Sequence, residues 1–441
     1  MPLRISRVLH AGYIFEHQSV RIIFDPIFEN PFSQNCFSFP AVRFDLKKIS
    51  EEKFSAVFIS HYHDDHFSLE SLNYIHRKTP IYLYCIHEEL FTLLRQLGFE
   101  NVYSLELGNP IQIGTFKIKP LLALDADVDC IFHIQVEELN ILHVVDAWID
   151  PLTMHRLIFV KKWDLVLWPF QTMRELEVLS LTVGVPSDRK LPPEWIEQLK
   201  QLQPRYVVPS SCQFQFESWS WYNRAFFPIS YRQFEEELQE CLPHTKAIVL
   251  NPGKSILLDQ SQLRVAEKIS WIQPLGPQNV DYIYDPDSPA QTTAEIAGHL
   301  PFATNEQESR CVKFCQLELV EKFNKLEFEQ KESFIAPCCW QLKLWRKDGT
   351  SMHFNYLIQN GQIQTLEDQP DLVSWYTEFP MIKLWSALEE GEAMTSLYLR
   401  IKTEPTTDIL QDPLILALYT NSIGSYQTAQ LERINKRFRT N

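Results

Sequence analysis

The stretch "AVFISHYHDDHFSLESL", residues 56–72, contains three histidines and two aspartates within six positions. The apolar residues before the cluster predict a buried strand over 54–60. The residues after it, "SLESLNYIHRK", predict a helix with Ser68 as its N-cap. The polar cluster therefore occupies a turn at the carboxyl end of a strand, where closely spaced side chains reach one pocket.

These side chains fit the pattern H-x-H-x-D-H and predict a metal site. His61 and His63 are expected to bind one metal ion, and Asp65 and His66 a second ion a few ångströms away. Imidazole and carboxylate ligands suit zinc, iron or manganese. Two ions this close can share a hydroxide that is nucleophilic at neutral pH. Crowding so many ionisable groups without a cation would carry a large desolvation cost, which disfavours a purely structural role.

The length, composition and charge of the chain limit the number of domains and the kinds of partner. The chain has 441 residues, 45% of them hydrophobic, which suits two globular domains. We expect a metal-binding catalytic domain over residues 1–262 and an α+β accessory domain over 263–441, because residues 260–285 are rich in Pro, Asp and other polar residues. The formal net charge of −15 argues against nucleic-acid binding.

Location is predicted from what the sequence lacks. No apolar run reaches the length of a membrane span, and the first residues do not resemble a signal peptide. Nine cysteines, an odd number mostly within apolar runs, are typical of free thiols. We therefore expect a cytoplasmic protein without a membrane span that acts on a small molecule. Its oligomeric state is not readable from the sequence.

The order of predicted elements indicates an α/β fold. The first 50 residues contain short β-rich pieces, and the strand "PIYLYCI" is followed by the helix "HEELFTLLRQLGF" ending at Gly98. A β-rich stretch and further strand–helix alternation follow up to about residue 258. Beyond it, "CCWQLKLWRKDGTSMHFNYLIQNGQIQTLED" (338–368) predicts a three-stranded meander with turns at Asp348-Gly349 and Asn360-Gly361.

At "SHYHDDH" the chain resembles the metallo-β-lactamase superfamily. "HAGYIFEHQSVRIIFDPIF" (10–28) is similar to the opening strands of that superfamily, which often end in Asp-Pro, here Asp25-Pro26. "LNILHVVDAW" (139–148) is similar to the strand that ends in a metal-bridging aspartate, here Asp146. The resemblance covers roughly residues 5–260 and implies an αββα sandwich with a C-terminal α+β domain.

A narrower resemblance is to the branch that holds CMP-N-acetylneuraminate hydroxylase, with ascorbate-6-phosphate lactonases as more distant neighbours. It is carried by "HAGYIFE", "VDCIFHI", "DLVLWPF" and "NPGKSILL" in that order. The hydroxylases carry a Rieske iron–sulfur domain, whereas this sequence has no C-x-H…C-x-x-H arrangement. In this branch a histidine at the position of His10 faces the pocket.

The sequence departs from the superfamily pattern in its second half. The stretch "PLLALDADVDCIFHI" (120–134) lacks the usual third histidine, and Asp129 is the best match for a carboxylate in its place; His133 shares its side of a regular strand. A role of Asp125 and Asp127 in the site is about as plausible as a solvated loop. Ser211 stands where the final histidine is expected, and the neighbouring Cys212 suits a core thiol better than a thiolate ligand.

Three functions are compatible with these residues. The first is a hydrolase that uses a metal-bound hydroxide on an ester, lactone, thioester, amide or phosphoester bond, with Asp65 and His66 in catalytic roles. The second is a di-iron oxidoreductase that activates dioxygen, because carboxylates in place of imidazoles favour iron or manganese. The third is a silent fold that binds a ligand, against which the intact H-x-H-x-D-H argues. The aromatic stretch 214–234 is expected either to wall a pocket or to form core.

Overall fold

The computed structural model describes residues 1–181, 189–334, 336–368, 372–404, 408–420 and 422–440. Within them the strands are, in chain order, β1 Leu3–Arg7, β2 Tyr13–His17, β3 Val20–Phe24, β4 Phe37–Ser38, β5 Val42–Phe44, β6 Ala56–Ile59, β7 Ile81–Leu83, β8 Val102–Ser104, β9 Ile111–Ile113, β10 Phe116–Leu122, β11 Cys130–Val136, β12 Leu139–His143, β13 Leu165–Pro169, β14 Tyr206–Ser210, β15 Phe214–Gln215, β16 Lys246–Ala247, β17 Ser255–Leu258, β18 Leu263–Ala266, β19 Ile272–Pro274, β20 Cys338–Trp345, β21 Ser351–Gln359, β22 Gln362–Leu366, β23 Trp375–Pro380 and β24 Arg400–Lys402.

The helices of the same residues are α1 Leu46–Glu51, α2 Leu69–Leu72, α3 Glu88–Gln96, α4 Pro151–Leu157, α5 Glu175–Leu179, α6 Pro193–Leu202, α7 Tyr222–Ala225, α8 Tyr231–Cys241, α9 Thr293–His299, α10 Asn305–Lys313, α11 Leu319–Lys325, α12 Met381–Glu390, α13 Pro413–Tyr419 and α14 Ser425–Thr440. A π-helical turn, Phe314–Glu318, joins α10 to α11, and short 3₁₀ turns occupy Phe328–Phe334, Met394–Leu397 and Ile409–Gln411. Among these described helices, none combines the length and apolar character needed to cross a bilayer.

Two large sheets form the N-terminal part. One has the order β18-β17-β1-β2-β3-β6-β7-β8, and the other β16-β14-β13-β12-β11-β10-β9. Alternate side chains explain how they pack: Phe24 and Phe58 lie between the sheets in one core, while Ile23, Val57 and Ile59 lie in the other core, shared with helices. This four-layer arrangement confirms the predicted αββα sandwich.

Strand β6 is the element that delivers the metal-capable turn. Its four residues are all buried, and it pairs in parallel with β3 and β7. A parallel strand covered on both faces requires apolar residues throughout, as in "AVFI". The predicted N-cap is confirmed, because the Ser68 side chain accepts a hydrogen bond from Ser71 N, but the helix that follows, α2, is only four residues long.

The C-terminal part forms a third core. The sheet β22-β21-β20-β23-β24 contains the predicted meander and packs with α10 to α13. The predicted C-terminal α+β architecture is thereby confirmed. The division between residues 262 and 263 stays a prediction; β18 (Leu263–Ala266) pairs with β17, and β19 (Ile272–Pro274) pairs with β5.

The last helix, α14, returns to the N-terminal sandwich and touches the turn that carries the histidines. Gln427 donates hydrogen bonds to the carbonyl oxygens of Tyr62 and Phe67, and Gln430 Oε1 accepts one from Leu69 N at 2.7 Å. Both glutamines are buried. The C-terminal part therefore stabilises the turn 61–66 and the residues that follow it through hydrogen bonds to their main-chain atoms.

Candidate metal centre

The candidate site lies where several strands of the two sheets end together. His10 follows β1, Asp25 follows β3, the turn 61–66 follows β6, and Asp146 follows β12. His10 and Asp25 have left-handed backbone conformations, with φ of 53° and 39°. Such conformations are uncommon for non-glycine residues and tend to be retained at functional sites.

Five of the six predicted metal ligands come together in two adjoining groups. One contains His61, His63 and Asp65; the other contains Asp65, His66 and Asp146, with His10 as an additional member. Within each group the candidate ligand atoms lie within 4.8 Å of one another. Asp65 belongs to both, so the two groups adjoin at its carboxylate.

Asp25 and Ser60 fix which ring nitrogens of His61 and His66 are open. Asp25 accepts hydrogen bonds from Ser60 N at 2.8 Å, Ser60 Oγ at 2.7 Å and His66 Nδ1 at 3.1 Å. Because Ser60 Oγ donates to Asp25, it accepts from His61 Nδ1 at 3.0 Å. This network places a proton on Nδ1 of both rings, so Nε2 is the nitrogen of each ring that could bind a metal.

His10 carries the opposite tautomer. Its Nδ1 accepts a hydrogen bond from the backbone N–H of Cys212 at 2.9 Å, so in the neutral ring the proton lies on Nε2. That Nε2 lies 3.1 Å from Asp65 Oδ2 and 3.0 Å from His66 Nε2. We therefore interpret the buried His10 as a donor that orients Asp65 rather than as a ligand. The expectation that it faces the pocket matches this position.

The electrostatics of the second group favour a cation. Burial alone lowers the pKa of His66, but the carboxylates of Asp146 and Asp65, with hydrogen bonds to Asp146 and Asp25, raise it well above its usual value. Burial raises the pKa values of Asp65 and Asp146, but the neighbouring His66 reverses this and holds both below their ordinary range. Two ionised carboxylates thus converge on one point.

The first group differs because burial dominates. Burial, reinforced by His66 and His63, holds the pKa of His61 well below its usual value, so the ring is neutral and its lone pair is available. His63 is exposed and packs edge-on against the His61 ring at a centroid distance of 4.5 Å. This group therefore has a solvent-facing side. The donor set of the two groups, imidazoles with ionised carboxylates, fits divalent metal ions.

Asp129 lies beside these groups without joining either. Its Oδ1 is 3.6 Å from His61 Nδ1, and burial together with Asp146 raises its pKa to about 7. Its role as an extra ligand stays a prediction. His133 is turned away from the site: its Nε2 bonds Asn140 Oδ1 at 2.9 Å and its ring packs on Trp163. The prediction that His133 and Asp129 share one side of a regular strand was wrong, because Asp129 precedes β11 and is not part of the strand.

The remaining candidates are core residues. His143, expected to be structural, is buried against Tyr13, Phe24 and Phe132, and burial lowers its pKa to about 4. The thiol of Cys212 is buried, and burial raises its pKa well above its usual value. A thiol held in its protonated form is a poor ligand, in agreement with the core role expected for it.

Asp25 was recognisable from the sequence as a landmark of the superfamily but not as a residue of the site. Its function depends on contact with Ser60 and His66, 35 and 41 positions away. The signal was an aspartate directly after a buried strand, followed by Pro26. Part of the aromatic stretch 214–234 also reaches the site: the Phe214 ring lies 6.1 Å from that of His10. Other members, including Phe234, are core.

Residues 4–211 match the family model described as "Beta-lactamase superfamily domain". This confirms the superfamily predicted from "SHYHDDH". No curated protein matches the chain.

Three solved structures with partial overlap are a metallo hydrolase, Igni18, from Ignicoccus hospitalis; CmlA, a diiron β-hydroxylase from Streptomyces venezuelae; and an isothiocyanate hydrolase from Delia radicum gut bacteria. Igni18 is 18% identical, with 59% of this chain and 99% of that chain covered and a TM-score of 0.40. CmlA is 16% identical, with 58% and 53% covered and a TM-score of 0.40. The isothiocyanate hydrolase is 14% identical, with 58% and 99% covered and a TM-score of 0.42.

Proposed function

We propose that this chain, whose residues 4–211 form a β-lactamase superfamily domain, is a metal-dependent hydrolase of a small molecule. The observation that carries the proposal is the sharing of Asp65 between two groups of converging ligand atoms. His61 and His63 would hold one ion, and Asp65, His66 and Asp146 would hold the second. Asp129 is the proposed extra ligand.

Divalent ions bound there would lower the pKa of a coordinated water and so supply a hydroxide nucleophile at neutral pH. The chain's own residues prepare the site for this. Asp25 directly holds the ring of His66, and through Ser60 it holds that of His61. His10 donates from Nε2 toward Asp65 Oδ2, which keeps that carboxylate oriented and ionised. Pre-organised ligands of this kind do not need to rearrange during the reaction.

The proposed substrate is a small molecule with an ester, lactone, thioester, amide or phosphoester bond. The exposed side of His63 and the half-buried Tyr62, whose ring lies 5.3 Å from that of His63, form the solvent-facing approach. The proposed metal is zinc or iron, with manganese a further choice for the carboxylate-containing group.

A second function, a di-iron oxidoreductase that activates dioxygen, is favoured by one observation. Asp129, a carboxylate, lies next to His61 where the superfamily usually has a third imidazole. Substituting oxygen for nitrogen ligands moves metal preference from zinc toward iron and manganese. Hydrolysis and oxidation would then use the same residues with different metals.

Metal analysis with a hydrolysis panel tests the proposal. Full-length protein is purified aerobically and anaerobically, its zinc, iron and manganese are measured, and it is assayed on esters, lactones, thioesters, amides and phosphoesters. We expect two ions per chain, with hydrolysis of one substrate class that is abolished in Asp65→Asn and retained in the control Asp287→Asn. Asp287 is exposed, and its side chain has no bond to another side chain among the described residues.

Two results would contradict the hydrolase. Two irons per chain with oxygen uptake and no hydrolysis would support the oxidoreductase instead. Metal-free protein under every condition would remove both enzymes and leave a ligand-binding fold.

A further inference from the structure

A small inner cavity lies beside Asp65, on the side covered by the C-terminal part of the chain. It encloses about 60 Å³. Ala393, Thr395 and Ser396 supply one wall, and Phe214, Phe216 and Phe226 supply an apolar wall. The residues 393–396 join α12 to β24, so the cavity exists only because the C-terminal part packs on the sandwich.

The polar lining of this cavity is acidic and unsatisfied. Asp64 and Glu175 both line it, and neither forms an ion pair with a Lys, Arg or His side chain in the part of the chain that the structure describes. Asp64 Oδ2 is buried and has no hydrogen-bond partner there. The hydroxyl of Ser33, a residue only 4% exposed, also lines the cavity and also lacks a partner.

Buried carboxylate and hydroxyl oxygens without partners are costly, and structures normally satisfy them. The missing partner must donate hydrogen bonds, and a positive charge suits the space because three carboxyl groups, Asp64, Asp65 and Glu175, line it. Among the described residues, Asp64 and Glu175 are not members of any three-ligand group, which disfavours a divalent metal. The volume corresponds to about two water molecules, which suits the end group of a larger molecule.

We propose that this cavity is an ammonium pocket: it receives the primary amino group of the substrate while the scissile bond lies at the metal ions. An ammonium group has three donors, which match Asp64, Glu175 and Ser33, and the phenyl rings add cation–π attraction. The C-terminal segment 393–396 then acts in substrate selection. Only the placement of the scissile bond rests on the function proposed above; the binding of the amine is a separate property.

Binding of a small amine tests the pocket without turnover. Full-length, metal-loaded protein is titrated with ethylammonium chloride, ethanol or sodium acetate, and the dissociation constant is measured by saturation-transfer NMR. We expect ethylammonium to bind, and ethanol and acetate to bind at least about tenfold more weakly, because only the cation supplies the charge and the donors. Equal binding of acetate or ethanol would overturn the pocket.

Variants of the lining residues show where ethylammonium binds. Glu175→Gln is expected to weaken ethylammonium binding about tenfold, and Ser33→Ala by a smaller factor, since a charged partner contributes more than a neutral hydroxyl. The matched control Glu236→Gln removes the same charge from an exposed site and should not change binding. Unchanged binding in Glu175→Gln, with the far-ultraviolet circular dichroism of the parent, would place the amine elsewhere and overturn the proposal.

The two proposals fail separately. Ethylammonium binding without hydrolysis of any substrate would remove the hydrolase and keep the pocket. Hydrolysis of a substrate without any binding of ethylammonium would remove the pocket and keep the hydrolase.

Discussion

The buried carboxylate of Asp25 accepts a hydrogen bond from Nδ1 of His66 at 3.1 Å, and neither residue is more than 1% exposed. The same carboxylate accepts from both the N–H and the hydroxyl of Ser60. One residue outside the ligand groups therefore sets the direction of two histidine rings. Carboxylate–histidine pairs of this kind raise ligand basicity and fix ring orientation.

Removing this carboxylate should weaken metal binding while every proposed ligand stays in place. In Asp25→Asn, the amide cannot accept all three hydrogen bonds as strongly, so metal affinity is expected to fall about 10–100-fold. Competition with a chelator of known affinity measures this. Asp287→Asn serves as the control, and an unchanged affinity in folded Asp25→Asn would contradict the positioning role.

Substitution of His10 distinguishes a hydrogen-bond donor from a metal ligand. In His10→Leu we expect the number of bound metal ions per chain to stay the same, while hydrolysis falls about 10–100-fold because Asp65 loses its donor. Elemental analysis and steady-state kinetics on the same preparation test this. Loss of one ion per chain would identify His10 as a ligand.

The proposed role of Asp129 as a metal ligand is tested by comparison with Asp127, its neighbour in the same loop. If its carboxylate binds metal, Asp129→Asn weakens retention of one of the two ions by about tenfold or more, whereas Asp127→Asn does not. Stepwise removal by a chelator, followed by elemental analysis, separates the two ions. Equal behaviour of the two variants would remove Asp129 from the ligand set.

His143 predicts a pH dependence of stability. Its pKa is about 4 in the folded chain because of burial, against an ordinary value of 6.5. Between these values the unfolded chain binds more protons, so this residue's contribution is fully present above about pH 6.5 and is lost as the pH falls toward 4. Relative to pH 7.5, protonation of His143 in the unfolded chain should lower the free energy of unfolding by about 2 kcal/mol at pH 5.

Urea unfolding of the parent and of His143→Phe at pH 7.5 and pH 5 measures this difference. The variant is less stable at pH 7.5, because Val145 N loses the ring nitrogen that accepts its hydrogen bond. It should nevertheless lose about 2 kcal/mol less stability on acidification. The same loss in both proteins would show that His143 does not titrate as its burial requires.

The support of the site loop by α14 is also measurable. Gln430→Leu leaves Leu69 N without its acceptor and is expected to lower the free energy of unfolding by about 1–3 kcal/mol. Glu432→Ala, on an exposed side chain of the same helix, should change it by less than about 0.5 kcal/mol. Equal effects of the two variants would mean that the buried hydrogen bond contributes nothing.

The sequence alone determined the sandwich and the core of the candidate site. A fully apolar strand is typical of a strand covered on both faces, and a histidine-rich turn at its end is local, so "AVFISHYHDDH" indicated both. The strands that precede Asp25 and Asp146 were recognised through their resemblance to strands of the superfamily. The extent of α2 was not, because only packing decides how far a short helix continues.

Only the tertiary structure decided the tautomers, the role of Asp25 and the inner cavity. A proton is assigned to one ring nitrogen by whatever the other nitrogen contacts, and the partners of His10 and His66 lie 202 and 41 positions away. The polar groups of Ser33, Asp64 and Glu175 come from three distant segments and line one cavity with residues 393–396. The spacing of residues along the chain does not predict these contacts, because they depend on how the C-terminal part packs against the sandwich.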